Sequence, residues 1–188
     1  MSSTTRSREV AKRLFAQELR ESDHMFKEDD DEYAPGYLLL PSGGKANRVF
    51  IAGTLISKED RDGNYAFKIN DSTGEFALYA GQYQPEAAET LRDIDTPAYV
   101  SVVGKPDTFE GDDGTILSTI RPERVAEITK EQRDKWVAET AQQTLDRLDK
   151  SPDEDDYAKM AEEHHGEERM DLADVVVTAL EELQNSQK

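Results

Sequence analysis

The sequence predicts a mainly β protein with flanking helices: a five-stranded barrel over Ala46 to Ile128, a helix before it and amphipathic helices after it. Three observations point there. Short apolar runs alternating with period two recur between Ala46 and Ile128, Gly/Asp/Asn/Ser turns separate them, and one helical segment interrupts them after the third run.

The N-terminal segment Thr5 to Ser22 places Val10, Ala11, Leu14, Phe15 and Leu19 at three-and-four spacing among charged residues, which predicts a short amphipathic helix. Such a helix either packs across one end of the barrel or docks a partner. Lys27 to Glu32 is mostly acidic, and Ala34 to Gly44 carries prolines, glycines and the patch Tyr37-Leu38-Leu39-Leu40, expected to be a partly ordered connector whose leucines pack on the barrel. In the first strand Val49, Ile51 and Leu55 alternate, with Gly53 where a barrel strand bends without a side chain in the way. The turn Ser57 to Asn64 leads into Tyr65 to Asn70, where Phe67 and Ile69 alternate with Ala66 and Lys68; Asp71-Ser72-Thr73-Gly74 turns into a third strand carrying Phe76 and Leu78. Gln84 to Ile94 is helical, with Pro85 in its first turn, and Pro97 ends it. Ala98 to Lys105 and Thr115 to Pro122 complete the set across the polar loop Pro106 to Gly114. Three strands, a helix and two strands make the element order of an OB-fold, a partly open Greek-key barrel.

Behind the barrel, Thr129 to Leu148 places Val137, Thr140, Ala141, Thr144, Leu145 and Leu148 on one stripe. Ser151 to Asp156, with Pro152 and four successive acids, reads as a flexible linker, and from Met170 a final apolar stripe of Leu172, Val175, Val176, Ala179, Leu180 and Leu183 needs a surface to cover it. The chain thus divides into an N-terminal helix and connector (1–45), barrel (46–128), amphipathic assembly helix (129–150), and acidic linker with terminal helix (151–188).

Val49-Phe50-Ile51-Ala52-Gly53-Thr54-Leu55-Ile56 and Phe67-Lys68-Ile69-Asn70-Asp71-Ser72-Thr73-Gly74 resemble the opening strands of the middle-subunit OB-fold of replication protein A. From about Arg8 to Leu148 the chain resembles the haloarchaeal replication-protein-A-associated proteins. The resemblance implies a subunit that joins a larger replication protein A chain and handles single-stranded DNA in replication and repair. It also implies assembly through the helix that follows the barrel, with Val137, Ala141, Leu145 and Leu148 as the seam, unless that helix only packs on its own barrel. The rival from another class is an interaction adaptor that docks on replication protein A without touching DNA and anchors other factors through Leu172, Val176, Leu180 and Leu183. An RNA-binding OB domain is a third reading, for which no residue discriminates.

Single-strand binding by this fold uses the outer face of the second and third strands and the loops joining strands one to two and four to five. Period two turns Ala66, Lys68, Asn70, Ala77 and Tyr79 outward, which makes Lys68 and Tyr79 the leading contacts. Phe109, isolated among Asp and Gly, is the candidate mobile stacking residue, and Arg48, Tyr65, Tyr83, Lys105 and Arg121 are secondary candidates near the same rim. Each has a bland alternative as a core or structural surface side chain.

Charge opposes simple phosphate binding. The net charge is -18, from 41 acidic and 23 basic residues, and between Ala46 and Ile128 there are eight basic and fifteen acidic ones. Either this is an acidic interaction protein or it is adapted to very high salt. At molar salt the Debye length is about 3 Å, so distant acids repel DNA weakly and counterion release contributes little, which leaves stacking as the main source of affinity.

Catalysis and metals find little support. Cysteine is absent, excluding disulfides and thiolate zinc sites. The histidines are His24, His164 and His165, and adjacent histidines on a helix are expected to face apart, a poor chelating pair. The clusters Asp29 to Glu32 and Asp153 to Asp156 lack calcium-loop spacing, and neither a phosphate-cradling motif nor a nucleophile elbow occurs. The expectation is a non-enzymatic, cofactor-free protein. With no signal core and no apolar run of roughly 18 residues, a cytoplasmic, nucleoid-associated location is expected.

Overall fold

The computed structural model describes residues 9–187. Its centre is a barrel of five strands: β5 (Val49–Arg61), β6 (Asn64–Asn70), β7 (Glu75–Ala80), β8 (Ala98–Glu110) and β9 (Ile116–Glu127). Neighbours run β5-β6-β7-β9-β8, and β8 pairs back onto β5 to close the ring. All pairs are antiparallel except β7 with β9, joined in parallel at Leu78 and Ile120. The helix α2 (Pro85–Asp93) bridges β7 and β8. Inside, Val49, Ile51, Leu55, Phe67, Ile69, Phe76, Leu78, Val100, Val102 and Ile120 are all buried. This is the OB-fold that the strand pattern predicts.

Two glycines make the strand crossings possible. A Cβ on Gly53 would lie 2.3 Å from the Asn70 carbonyl oxygen, and one on Gly104 would lie 2.4 Å from that of Arg121, so any side chain would force the ladders apart. The register shifts beside each, between Leu55 and Ser57 and between Val103 and Gly104, so the bends and bulges of the barrel fall together.

Several elements depart from the sequence reading. Thr5 to Arg8 lie outside the described residues; the segment after them is extended rather than helical, with Val10 exposed and β1 (Lys12–Arg13) added in parallel to β5. Only α1 (Ala16–Glu21) is helical. Its first N–H groups find their acceptors at long range: Ala16 N–H donates to Asp71 Oδ2 at 2.7 Å and Gln17 N–H to Thr73 Oγ1 at 3.1 Å. The Asp71-to-Gly74 turn therefore caps a helix more than fifty residues away in sequence as well as joining two strands, while the Asp71 carboxylate also accepts from Thr73 and Gly74 N–H. The connector is ordered as a small sheet, β2 (Met25–Lys27), β3 (Gly36–Leu39) and β4 (Lys45–Ala46), and Leu38, Leu39 and Leu40 are buried as its composition suggests.

The stretches expected to be loops at 57–61 and 106–110 are strand. They pair with Asn64–Lys68 and with Ile116–Ile120, carrying the barrel strands outward to ends where 58–61 and 109–110 are exposed and the alternation signal fades.

Helix α3 (Lys130–Leu148) opens on a capping box: Gln132 N–H donates to Thr129 Oγ1 at 3.1 Å while Gln132 Oε1 accepts from Thr129 N–H at 2.9 Å. It lies against β5 and β8, where Trp136 packs edge-on to Phe15 at 5.7 Å and donates Nε1–H to the Phe50 carbonyl at 3.0 Å. Below it, Arg147 donates to Ser42 Oγ and Glu18 Oε1 at 2.7 and 2.9 Å, and Ser42 Oγ–H donates to the same Glu18 oxygen. This buried network ties α1, the connector and α3 together.

The acidic tail is folded rather than a free linker. After a turn at 152–154, Asp155 caps α4 (Asp156–His165), whose Ala158 and Ala161 are fully buried, and a 3-10 turn at 166–171 leads to α5 (Leu172–Ser186). The terminal apolar stripe finds its surface within the chain: α5 packs on α3, burying Leu172, Val176 and Ala179. Among the described residues, no helix is long and apolar enough to cross a membrane.

Candidate nucleic-acid interface

The outer face of β6 and β7 is set by their inward residues. With Phe67, Ile69, Phe76 and Leu78 in the core, the pleat turns Ala66, Lys68 and Asn70 outward on one strand and Glu75, Ala77 and Tyr79 on the next. Cross-strand register places Tyr79 opposite Ala66 and Lys68 opposite Ala77. Each large side chain thus faces a methyl group, which leaves a flat floor from which the ring and the ammonium rise.

The ribbon of β8 and β9 brings Phe109 to that floor. Phe109 sits on β8 opposite Leu117, and its ring stands edge-on to Tyr79 at 6.4 Å and 78°. Tyr79 is 38% exposed and Phe109 44%, and Leu117 and Ile116 beside them are also exposed. A shallow groove of about 370 Å³ continues between Glu75, Ala77, Ile116, Leu117 and α1. Phe109 is therefore an ordered strand residue, not the mobile loop residue that the acidic run suggests.

The secondary candidates separate. Tyr83, fully solvated, lines a second groove of about 490 Å³ with Lys105 and Arg121. Tyr65 does not belong to the open face: its ring stacks toward Phe67 at 6.3 Å, packs against the core, and carries the Arg92 guanidinium at 4.8 Å on its other side. Arg48 is held at the barrel end by a two-pronged ion pair with Glu123, at 2.8 and 2.9 Å. Arg61 is a residue the sequence reading passed over as part of an acidic turn; it lies at the end of β5 within electrostatic reach of Tyr79.

The cations of this surface are matched by carboxylates. Lys68 lies 3.7 Å from Glu75, Arg121 3.7 Å from Asp107, and Arg61 2.9 Å from Glu59. The Arg61 hydrogen bond holds the Glu59 carboxyl below the usual carboxylate range, so the pair stays ionised. A phosphate backbone arriving here would have to displace these partners. What remains unmatched is the exposed aromatic and apolar surface, and the chemistry it offers is stacking against flat rings.

Of the assembly-seam candidates, Val137, Ala141 and Leu148 are buried and Leu145 is exposed; of the adaptor anchors, Leu172 and Val176 are buried, Leu183 is half-buried and Leu180 is exposed.

No family model matches the chain, and no curated protein matches its sequence. Solved structures do. The chain is similar to one in the crystal structure of the S. pombe Stn1-ten1 complex, with TM-score 0.61 and 12% identity over 84% of this chain and 100% of that one. It is also similar to one in the structure of a replication protein A heterotrimer bound to single-stranded DNA, with TM-score 0.53 and 13% identity over 74% and 98%. At such identities the likeness is one of fold, and it reaches beyond the barrel into the flanking elements.

Proposed function

We propose that this chain is a non-enzymatic, single-stranded-DNA-binding subunit of a replication protein A complex, acting in DNA replication and repair. The observation that carries the reading is the Tyr79–Phe109 pair, exposed over a flat floor on the face that OB-folds present to single strands. The two structural neighbours supply the setting, since one is described as a replication protein A heterotrimer bound to single-stranded DNA. Bases stack on Tyr79 and Phe109, Lys68 and Arg61 exchange their carboxylate partners for phosphates, and Tyr83, Lys105 and Arg121 extend the path.

A larger subunit would meet the exposed Leu145 and Leu180 first. Val137, Ala141, Leu148, Leu172 and Val176 join such a seam only if α5 leaves α3. The charge of -18 fits a chain working at molar salt, inside a cell whose DNA is handled under strong screening. Circular dichroism across salt checks this: loss of fold at low salt is expected, and full structure at about 0.1 M would speak against it. Function is tested by fluorescence anisotropy of labelled single-stranded DNA in molar KCl, with the chain alone and with a candidate larger subunit. Binding in at least one state is expected. Absence of binding in both would remove the proposal.

A further inference from the structure

Every histidine of the chain lies in one place. His24 precedes β2, and His164 and His165 end α4, yet the His164 ring lies 4.8 Å from that of His24 and 4.6 Å from that of His165. Asp23 joins them, its Oδ1 2.8 Å from His164 Nε2. One ligand atom from each of Asp23, His164 and His165 lies within 4.8 Å of the other two. The expectation that adjacent histidines point apart does not hold here: they occupy the last turn of α4, which ends at Gly166 with φ 68°, and one nitrogen of each comes within 4.8 Å of an Asp23 carboxylate oxygen.

Packing alone does not account for this arrangement. His165 Nε2 is buried with no hydrogen-bond partner, a costly state for an imidazole nitrogen unless something occupies its lone pair. The surroundings favour a cation. Glu163 and Met160 flank His24 and His164 on one side, Glu21, Glu168 and Asp171 line the cavity beside His165 on the other with Arg20 and Arg169, and the C-terminal end of α4 presents carbonyl oxygens.

We propose that Asp23, His164 and His165 bind a divalent first-row transition metal ion of the zinc class, with the His24 ring beside them, 4.8 Å from that of His164. Two imidazoles and a carboxylate are the donor set such ions take, at about 2.0–2.2 Å per bond. Ligand atoms around one tetrahedral ion then stand roughly 3.3 Å apart. Bound to one ion, the three ligand atoms, which stand within 4.8 Å of one another, would draw in to that spacing. The ion would join residue 23 to residues 164 and 165, across more than a hundred residues of sequence, and so fasten α4 to the N-terminal segment.

The test is calorimetric titration of the chelator-treated full chain with Zn2+, in molar KCl with excess Mg2+ to occupy surface carboxylates, which as hard oxygen donors also take that ion. One Zn2+ per chain is expected, with affinity falling at least tenfold in Asp23→Asn and site binding lost in the His164→Ala/His165→Ala double variant, each variant first shown to be folded by circular dichroism. Co2+ added to the unmodified chain should give visible bands of a nitrogen-ligated tetrahedral or five-coordinate ion, a readout independent of whether the variants fold. Zn2+ uptake that Mg2+ abolishes, uptake unchanged in the folded double variant, or a Co2+ spectrum indistinguishable from the hydrated ion would each overturn the site.

Discussion

On the side of β5 and β8, Trp136 of α3 is buried against Phe15, and α5 is packed on α3 in turn; on the side of β6 and β7, Tyr79 and Phe109 stand on an uncovered floor. Both faces carry aromatic side chains, but only the first removes them from water. Burial of a large aromatic contributes several kcal/mol, whereas a ring left about two-fifths exposed contributes much less to folding. The polar groups differ in the same way. On the covered side Trp136 donates to a backbone carbonyl and Arg147 is paired with Glu18 out of solvent; on the open side the ion pairs are solvated and can exchange. One face is built to hold the molecule together and the other to be filled by something else.

If that division is right, substitutions on the two faces separate stability from binding. The largest effect belongs to Trp136→Ala, which leaves a cavity between α3, Phe15 and β5 and removes the indole hydrogen bond to the Phe50 carbonyl; a loss of about 3–5 kcal/mol is expected in chemical unfolding, with DNA affinity of the folded fraction unchanged. Glu18→Ala leaves the Arg147 charge buried without its carboxylate and should cost about 3 kcal/mol or somewhat more in the same measurement. On the open face the pattern inverts. Tyr79→Ala or Phe109→Ala should change stability by no more than about 0.5 kcal/mol while weakening single-strand binding roughly 5- to 150-fold, about 1–3 kcal/mol per stacked base.

The smallest effect concerns the link between β4 and α4. Glu28 is held below the usual carboxylate range by its hydrogen bonds from Lys45, at 2.6 Å, and from the Tyr157 hydroxyl. A carboxyl depressed in the folded state adds stability that is present above the ordinary carboxylate range and lost as pH falls through its lowered value. Lys45→Met removes the main cause of the depression, so chemical unfolding should show the variant slightly less stable near neutrality, with the difference fading as pH falls through the lowered Glu28 value.

How far these faces were legible in the sequence follows from where periodicity has a cause. Phe67, Ile69, Phe76 and Leu78 alternate because one side of each strand is core, and that same alternation placed Lys68 and Tyr79 outward. Toward the strand ends the cause weakens: Ser57–Arg61 is paired strand but polar on both sides, and Asp107–Glu110 is paired strand with Phe109 as its one apolar side chain, so both looked like loops and Phe109 looked detached from the face it serves. Val10 to Leu19 has helical spacing, yet part of the segment adds to β5 as a strand, an outcome decided by a partner that local sequence does not contain. Tyr65 shares the alternation face of Phe67 and Ile69, and the Arg92 guanidinium over its ring comes from α2, a neighbour that strand periodicity does not contain. The tail packs through Ala158, Ala161 and Ala179, side chains too small to stand out among acids.

The most direct test of the open face combines an aromatic variant with salt. Labelled single-stranded DNA should be titrated with the unmodified chain and with Tyr79→Ala/Phe109→Ala between about 0.5 and 3 M KCl, a range in which the Debye length falls below about 5 Å. The account predicts that the unmodified chain binds with a shallow dependence on salt, because Arg61, Lys68 and Arg121 already have carboxylate partners, and that the double variant loses most of that affinity at every concentration while unfolding like the unmodified chain. A double variant that binds as tightly as the unmodified chain, or a steep salt slope typical of phosphate neutralisation, would contradict it.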